Sequence, residues 1–396
     1  MNRLLVFLLA SILISCSSSE ESKVETRNVL TLEPLTAKKI ESDFSDELKE
    51  IKIIPLENIG KNSLIINIDK LLFDSLKNII IFNNINVLKF SKDGKYQFKF
   101  GSSGKGPGEY IKIVDVCLNE DKSEVLILDS YANVLRFNIE SGDFIDSHKA
   151  KWNDREMTYD AMAHSTNGGY YLFASNPVGN SLDSFDDKFY CLGEFDAQGN
   201  LISEHFVRRD FNFPLKRFST TYDHAAIMRP LEGGRNDLVA YKLKNSEVKP
   251  FVKFEMGDEY IPDRFIFEFP GNNPWLNIKE VILSKYYKFP MDILDTQSFI
   301  YFWMGGPNGE THEFLYNKFL KEMIRWKSDE AYPFTFIGSD ETYFYAVLSE
   351  LTANENSAIP NPLKKYIEEK YDLKDSILTN NPSIVRLEFD NKMREQ

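Results

Sequence analysis

Two stretches of the chain repeat one pattern of apolar and polar positions. Residues 78–96 and 124–144 each contain an apolar run, a short polar stretch, Asn-Val-Leu-basic-Phe and a turn that ends in glycine. Asn86 of the first stretch corresponds to Asn133 of the second, 47 residues further on. Strand-length runs that recur at this period are typical of the four-stranded blades of a β-propeller.

Weaker copies of the pattern follow along the rest of the chain. Their spacing predicts six units, and therefore an all-β fold: a six-bladed β-propeller with four-stranded antiparallel blades, with five or seven blades as the alternatives. Charged residues and Leu/Tyr spacing predict a short helical insertion near 361–373, before the last strand. The four further copies are 168–202, 236–255, 299–319, and 341–349 together with 383–390.

A ring of blades must be sealed, because each open sheet edge exposes unpaired backbone groups. The apolar stretch 50–57 precedes the first unit, and 383–390 is the last strand-like run. We expect these two stretches to pair, so that N- and C-terminal strands close the ring. Residues 29–396 then form a single propeller domain.

The first sixteen residues have the pattern of an export signal. Arg3 precedes an apolar run that is too short to span a bilayer and fits a signal peptide over residues 1–15. The run ends in Leu-Ile-Ser-Cys, which resembles a bacterial lipobox, so Cys16 is predicted to carry the lipid anchor. Residues 16–28 begin with a polar, Ser- and Glu-rich tether. The alternative is an ordinary signal peptide with a chance cysteine.

Composition limits the classes of partner. The 396 residues are 42% apolar and 14% aromatic, which suits a strand-rich core. A formal net charge of −13 argues against nucleic acid, since a phosphate backbone requires a basic surface. Cys117 and Cys191 lie in apolar runs and are expected to be buried free thiols, although a disulfide between them stays open.

Residues 101–110 read GSSGKGPGEY, a glycine-rich segment between two apolar runs. A phosphate-binding loop would end in Gly-Lys-Ser/Thr at the start of a helix, whereas Lys105 is followed by glycine and proline and then by a strand-like run. The segment is therefore predicted to be the corner between the first and second blades, where glycine permits positive φ. Within it, Glu109 is the side chain able to contact a ligand.

Other candidate ligand-binding residues are scattered along the chain. Asp115, Asp129, Asn133 and Asp160 could donate oxygen ligands to a calcium ion at the propeller axis, but the same residue types dominate ordinary turns. The five histidines form no metal-binding motif, and a Gly-x-Ser-x-Gly hydrolase motif is missing from the sequence.

Three residues outside these groups are candidates for ligand contact. Trp275 lies among turn residues, where an exposed indole could stack on a sugar ring. Arg208 and Arg209 belong to a basic, aromatic stretch that could bind an anion, although a solvated loop would have the same composition.

The mature sequence resembles the six-bladed β-propeller lipoproteins of the Bacteroides group, relatives in fold of NHL-repeat propellers. The resemblance covers roughly residues 24–390, and it departs from the pattern in having an insertion over 258–290 and one full copy of the glycine motif. It implies a fold and a cell-envelope location. The residues that carry it are Gly101, Gly104, Gly106, Pro107, Gly108, Glu109, Tyr110, the stretch 51–57 and Asn381-Pro382.

The expected function is a ligand-binding or scaffold module on the outer membrane, facing the cell surface or the periplasm and held there by its lipid. A glycan, a peptide or a component of a nutrient-uptake system is the expected partner, and no cofactor or metal is required. The alternative is a metal-dependent propeller hydrolase or lyase, with calcium in the central channel.

Overall fold

The computed structural model describes residues 29–40, 48–61, 63–65, 67–153, 155–177, 190–207, 218–220, 224–228, 238–244, 247–262, 280–328, 336–348 and 381–390. Its strands form six antiparallel sheets of at least four strands each, arranged in a ring as a six-bladed β-propeller. The fold class predicted from the repeat is therefore confirmed.

The first three blades follow the chain without interruption, and each runs from its innermost strand outward. Short turns join the strands, so each hairpin is local in sequence. Blade 1 comprises Lys70–Phe73, Ile79–Phe82, Val87–Phe90 and Tyr96–Phe100; blade 2 comprises Ile113–Leu118, Glu124–Asp129, Asn133–Asn138 and Phe144–Lys149; blade 3 comprises Met157–His164, Tyr170–Pro177, Tyr190–Phe195 and Leu201–Val207.

The last three blades each include a strand from the N-terminal part of the chain. In blades 4 and 5 this strand is a fifth, parallel one on the outer edge. Blade 4 comprises Ser219–Thr220, Ala225–Met228, Val239–Lys244, Glu247–Phe254 and Leu30–Leu32; blade 5 comprises Pro290–Asp295, Phe299–Gly305, Thr311–Asn317, Glu322–Ser328 and Lys38–Lys39; blade 6 comprises Phe336–Ser339, Phe344–Leu348, Ser383–Phe389 and Leu48–Pro55.

The pairing predicted between 50–57 and 383–390 is present in blade 6. Leu48–Pro55 runs antiparallel to Ser383–Phe389, with Pro55 opposite Ser383 and Ile51 opposite Leu387. The short edge strands on blades 4 and 5 were not predicted, because two or three residues are too few to show an alternating pattern.

Small elements complete the description. Ser102–Ser103 pairs parallel with Glu109–Tyr110. Short 3-10 helices occur at Pro34–Thr36, Gly257–Glu259 and Pro307–Gly309, and residues 280–283 are helical. Within the described ranges, no helix is long and apolar enough to cross a membrane. The predicted helix at 361–373 lies outside the described residues.

Apolar side chains fill the interfaces between consecutive blades and also between blade 6 and blade 1. Burial of this surface, at roughly 25 cal/mol per Å², is the main term that holds the blades together. Cys117 and Cys191 are both buried in one of these clusters, and no disulfide joins them.

The turn glycines of the sequence repeat make contacts between blades. Gly94, Gly142 and Gly199 all have positive φ, near 80°, in the turn before an outermost strand. A Cβ on Gly94 would lie 2.0 Å from the carbonyl oxygen of Pro55 in blade 6, and one on Gly142 would lie 2.7 Å from the Phe98 ring in blade 1. Glycine is thus required both by the backbone conformation and by the neighbouring blade.

Candidate functional site

The innermost strands of all six blades begin at one end of the central channel, which we call the upper end. A cavity of about 520 Å³, the upper cavity, opens there and falls in the size range of small-molecule sites. Each blade contributes part of its first strand to the wall. The lining residues used below are Lys70, Lys112, Val114, Asp115, Asp129, Asp160, Asp292 and Ile337, with Asp69, Asn84, Ser130, Thr158 and Ser219.

Irregular strand pairing shapes the wall of the upper cavity. In blades 2, 3, 5 and 6 the register between the first and second strands shifts within the first few residues. The residues passed over by the ladder include Val114, Asp160, Asp292 and Ile337, and all four line the upper cavity. A β-bulge turns a side chain away from its regular position, so these four irregularities direct side chains from different blades to one space.

An ion pair connects three blades in this wall. The Lys70 ammonium lies 2.9 Å from both carboxylate oxygens of Asp115 and also donates to the carbonyl oxygen of Met162 at 3.2 Å. Asp115 accepts further hydrogen bonds from the backbone N–H groups of Val116 and Met162. Both charged groups thus have their hydrogen bonds satisfied within the protein. The pair links blades 1, 2 and 3 to one another.

Asp129 and Asn133, two of the candidate calcium ligands, bond to each other instead. Asp129 accepts from the N–H groups of Tyr131 and Asn133 at 2.8 Å, and from the Asn133 side-chain amide at 2.9 Å. The same Asp-x-x-x-Asn arrangement recurs at Asp74–Asn78 and Asp196–Asn200, and each time the residue before the asparagine has positive φ. In all three places the aspartate and the asparagine form an ordinary turn, which was the alternative to calcium binding.

Three more carboxylates, Asp69, Asp160 and Asp292, give the upper cavity an acidic character. Asp69 accepts from the Asn67 amide at 3.0 Å, and Asp292 accepts from the Trp303 indole N–H at 2.9 Å. The described part of the chain contains no group of three or more histidine, cysteine, aspartate or glutamate side chains arranged to hold a metal ion.

Exposed apolar side chains stand beside the lining residues of the upper cavity. Ile85 and Tyr131, which lie in turns between second and third strands, are 65% and 62% exposed and directly follow Asn84 and Ser130. Ile111, 39% exposed, precedes Lys112. Polar side chains thus line the upper cavity, and these exposed apolar side chains are their sequence neighbours.

A second cavity, the lower cavity, lies where the first strands end. Its volume is about 180 Å³. Most of its wall comes from the ends of first strands and from the turns that follow them. The charged and polar side chains in this wall are Lys77, Asn119, Glu120, Lys122, His164, Thr166, Lys244, Ser339, Asp340 and Glu341.

Burial changes the protonation of two groups in the lower cavity. It lowers the pKa of His164 to about 4, with smaller effects from the charges of Lys122, His224 and Lys70. Burial also lowers the pKa of Lys122, reinforced by Lys77 and opposed by Asp340, Glu341 and Asp74. Sequence reasoning missed both residues, because they lie in different blades and belong to no motif.

The glycine-rich segment 101–110 connects the outermost strand of blade 1 with the innermost strand of blade 2. Gly101 and Gly108 have positive φ. The Glu109 carboxylate folds back onto this segment and accepts a hydrogen bond from the Gly106 N–H at 2.7 Å. A Cβ on Gly104 would lie 2.0 Å from that carboxylate, so the glycine leaves room for it.

Several predicted site residues lie outside the described residues: Cys16, Arg208, Arg209 and Trp275. Of the histidines, His148 bonds to the Tyr170 hydroxyl, His205 to Ser203 and His312 to Glu310, in three separate places. Asp115, Asp129 and Asp160, by contrast, are brought together in the wall of the upper cavity.

Comparison with known families shows to which family the chain belongs. Residues 28–388 match the family model described as a domain of unknown function, DUF4934. The chain belongs to this family. The DUF4934 chain has no match among curated proteins.

One solved structure supports the fold of the chain. The crystal structure of a "Putative exported protein" from Bacteroides fragilis is similar over 90% of this chain and 100% of that one, with 17% sequence identity and a TM-score of 0.65. A gluconolactonase from Xanthomonas campestris is 7% identical over 87% of this chain and 91% of its own length, with a TM-score of 0.43. At 17% identity the likeness to the Bacteroides fragilis protein concerns the fold alone, and nothing is concluded from the likeness to the gluconolactonase.

Proposed function

We propose that the protein is a cell-envelope lipoprotein whose propeller binds a carbohydrate at the upper end of the channel. The observation that carries the proposal is the convergence of bulged first strands on the upper cavity. Bulges are over-represented next to functional sites, where they redirect side chains.

The chemistry of the upper cavity suits a ligand rich in hydroxyl groups. The carboxylates of Asp69, Asp160 and Asp292 accept hydrogen bonds, and the side chains of Lys112 and Asn84 donate them. A sugar hydroxyl both donates and accepts. The exposed Tyr131 ring, between the lining residues Ser130 and Ala132, offers an apolar face on which a pyranose can stack.

The charge of the same cavity favours neutral over anionic glycans. Lys70 is neutralised by Asp115, which leaves Lys112 as the cation of the described wall against Asp69, Asp160 and Asp292. A carboxylate or phosphate on the ligand would face like charges in a partly desolvated space, where repulsion is stronger than in water.

A direct test measures binding to an array of immobilised neutral and anionic glycans. We expect the wild-type protein to retain neutral glycans, Tyr131→Ala and Asp160→Asn to lose at least tenfold in affinity, and Phe319→Ala to bind as wild type. Phe319 is the matched control because it is similarly exposed, at 67%, but lies in a turn between third and fourth strands, where neither of its sequence neighbours lines the upper cavity. Equal binding by Tyr131→Ala, Asp160→Asn and the wild-type protein would overturn the assignment of the site.

The envelope location rests on residues 1–28 and on the likeness to an exported protein. Cys16 would hold the propeller at the outer membrane, where a partner from an uptake system could meet it. Replacement of Cys16 with alanine should release the protein from the membrane fraction, and unchanged membrane association would refute the anchor. Digestion by protease on intact cells would place the propeller at the cell surface, whereas protection would place it in the periplasm.

The calcium-dependent alternative needs several free oxygen ligands that converge on one ion. Asp115 is paired with Lys70, and Asp129 with Asn133, so two of the expected donors serve the fold. Binding therefore accounts for the geometry of the described residues better than metal-dependent hydrolysis does.

A further inference from the structure

Three polar groups of the lower cavity have no hydrogen-bond partner among the described residues of the protein. The Thr166 hydroxyl is buried without a hydrogen-bond partner. In the described part of the chain, neither the Lys122 ammonium nor the His164 ring has a hydrogen-bond partner, and no carboxylate oxygen lies within ion-pair distance of Lys122. All three residues line one cavity.

Lys122 differs from Lys77, another lysine in the wall of the lower cavity. Lys77 lies 3.1 Å from the Asp340 carboxylate and is half exposed, so both solvent and an ion pair stabilise its charge. Lys122 is half-buried in a turn, so solvent stabilises its charge less, and no carboxylate of the described residues forms an ion pair with it. A poorly solvated ammonium without a carboxylate reduces stability, unless a ligand supplies the missing negative charge.

The three groups can donate to the same ligand. Lys122 belongs to the turn after the first strand of blade 2, whereas His164 and Thr166 lie at the end of the first strand of blade 3 and just after it. An ammonium and a hydroxyl are hydrogen-bond donors, and a neutral imidazole provides one N–H. The three side chains therefore come from two neighbouring blades and line one cavity.

Carboxylates limit the position of a bound anion. Asp340 is occupied, because it accepts from Lys77, from the Tyr345 hydroxyl and from two backbone N–H groups. Glu120 and Glu341 are exposed side chains of the same wall. Since the three carboxylates balance Lys77, Lys122 and Lys244, selection depends on direct hydrogen bonds near Lys122 rather than on a strong positive field.

We propose that the lower cavity binds a phosphate-like oxyanion through the Lys122 ammonium, with Thr166 and His164 as additional donors. A volume of about 180 Å³ admits a phosphate group. This site is separate from the upper cavity, so the proposal of phosphate binding does not depend on the proposal of carbohydrate binding.

The experiment measures the thermal midpoint of the full-length protein in sodium phosphate and in sodium chloride of equal ionic strength at pH 7. A ligand that binds only the folded state raises the midpoint with its concentration. We expect a saturable rise with phosphate in the wild-type protein and in Lys112→Met, which removes a lysine from the upper cavity. The rise should disappear in Lys122→Met.

Calorimetric titration with phosphate gives a second measurement, in which Thr166→Val should bind at least tenfold more weakly because it keeps the side-chain shape and loses the donor. Circular dichroism first establishes that each variant is folded. An equal midpoint in phosphate and chloride for the wild-type protein would overturn the proposal, as would an undiminished phosphate effect in a folded Lys122→Met.

Discussion

The two ends of the channel differ in how their charged groups are satisfied. At the upper end, Lys70 and Asp115 neutralise each other across blades, and Asp129 closes a turn. At the lower end, Lys122, His164 and Thr166 line a smaller cavity and have no such partners among the described residues. Paired groups stabilise the ring, whereas unpaired ones reduce its stability and leave binding capacity free.

The largest expected effect concerns the paired end. Lys70→Met should lower the free energy of unfolding by about 3–5 kcal/mol, because it leaves the buried Asp115 carboxylate without its cation. Denaturant unfolding measures the change. As a control, Lys49→Met removes an exposed ion pair with Glu388 and should leave the unfolding midpoint close to that of the wild-type protein. Similar losses in both variants would show that the Lys70–Asp115 pair has no special role.

The unpaired end should make the protein sensitive to acid. His164 has its folded-state pKa lowered to about 4, below the unfolded value near 6.5, so the unfolded state binds the extra proton first. Its contribution to stability is present above pH 6.5 and is lost as the pH falls toward 4, by roughly 2–3 kcal/mol.

Thermal unfolding of the wild-type protein and of histidine variants at pH 7 and pH 4 tests the contribution of His164. His164→Gln should lose less stability on acidification than the wild-type protein. His312→Gln should reduce the acid sensitivity less, because burial lowers the pKa of that ring but the Glu310 carboxylate, 3.1 Å away, opposes the shift. Identical acid sensitivity in wild type and His164→Gln would contradict the buried, neutral imidazole.

The turn at the upper end gives a smaller effect. Asp129→Ala removes three hydrogen bonds from a buried carboxylate and should cost about 2 kcal/mol in denaturant unfolding. Asp196→Ala removes the same set of bonds from an exposed turn and should cost about 1 kcal/mol or less. A larger loss at Asp196 would mean that burial does not set the strength of this motif.

The smallest expected change has the opposite sign. Without phosphate, Lys122→Met should raise the free energy of unfolding by about 1 kcal/mol, because it removes a half-buried ammonium that lacks a nearby carboxylate. Lys112→Met, at the exposed upper end, should stay within about 0.5 kcal/mol of wild type. Destabilisation by Lys122→Met would show that the protein itself compensates this charge.

The sequence was most informative where neighbouring residues determine the structure. The 47-residue echo from Asn86 to Asn133 predicted the blades, and the glycines of the turns marked contacts between them. The Asp-x-x-x-Asn motif also acts locally. Lys70 and Asp115, or Lys122 and His164, meet only because consecutive blades stand side by side, and no local pattern carries that information.

The β-bulges also limited how much of the candidate site could be predicted from the sequence. Asp160 was a candidate from its residue type, but its place in the cavity depends on register shifts in the first strand of blade 3. A one-residue shift changes the face to which a side chain points, and apolar periodicity alone does not locate it. Asp292 and Ile337, which owe their position to similar shifts, were missed entirely.

The most direct test of the difference between the two ends measures two ligands on two variants. Binding of neutral glycan and of inorganic phosphate is titrated on Tyr131→Ala and on Lys122→Met. We predict that Tyr131→Ala loses the glycan and keeps phosphate, and that Lys122→Met loses phosphate and keeps the glycan. Loss of both ligands in either variant, or of neither ligand in both, would contradict the assignment of separate sites to the two ends.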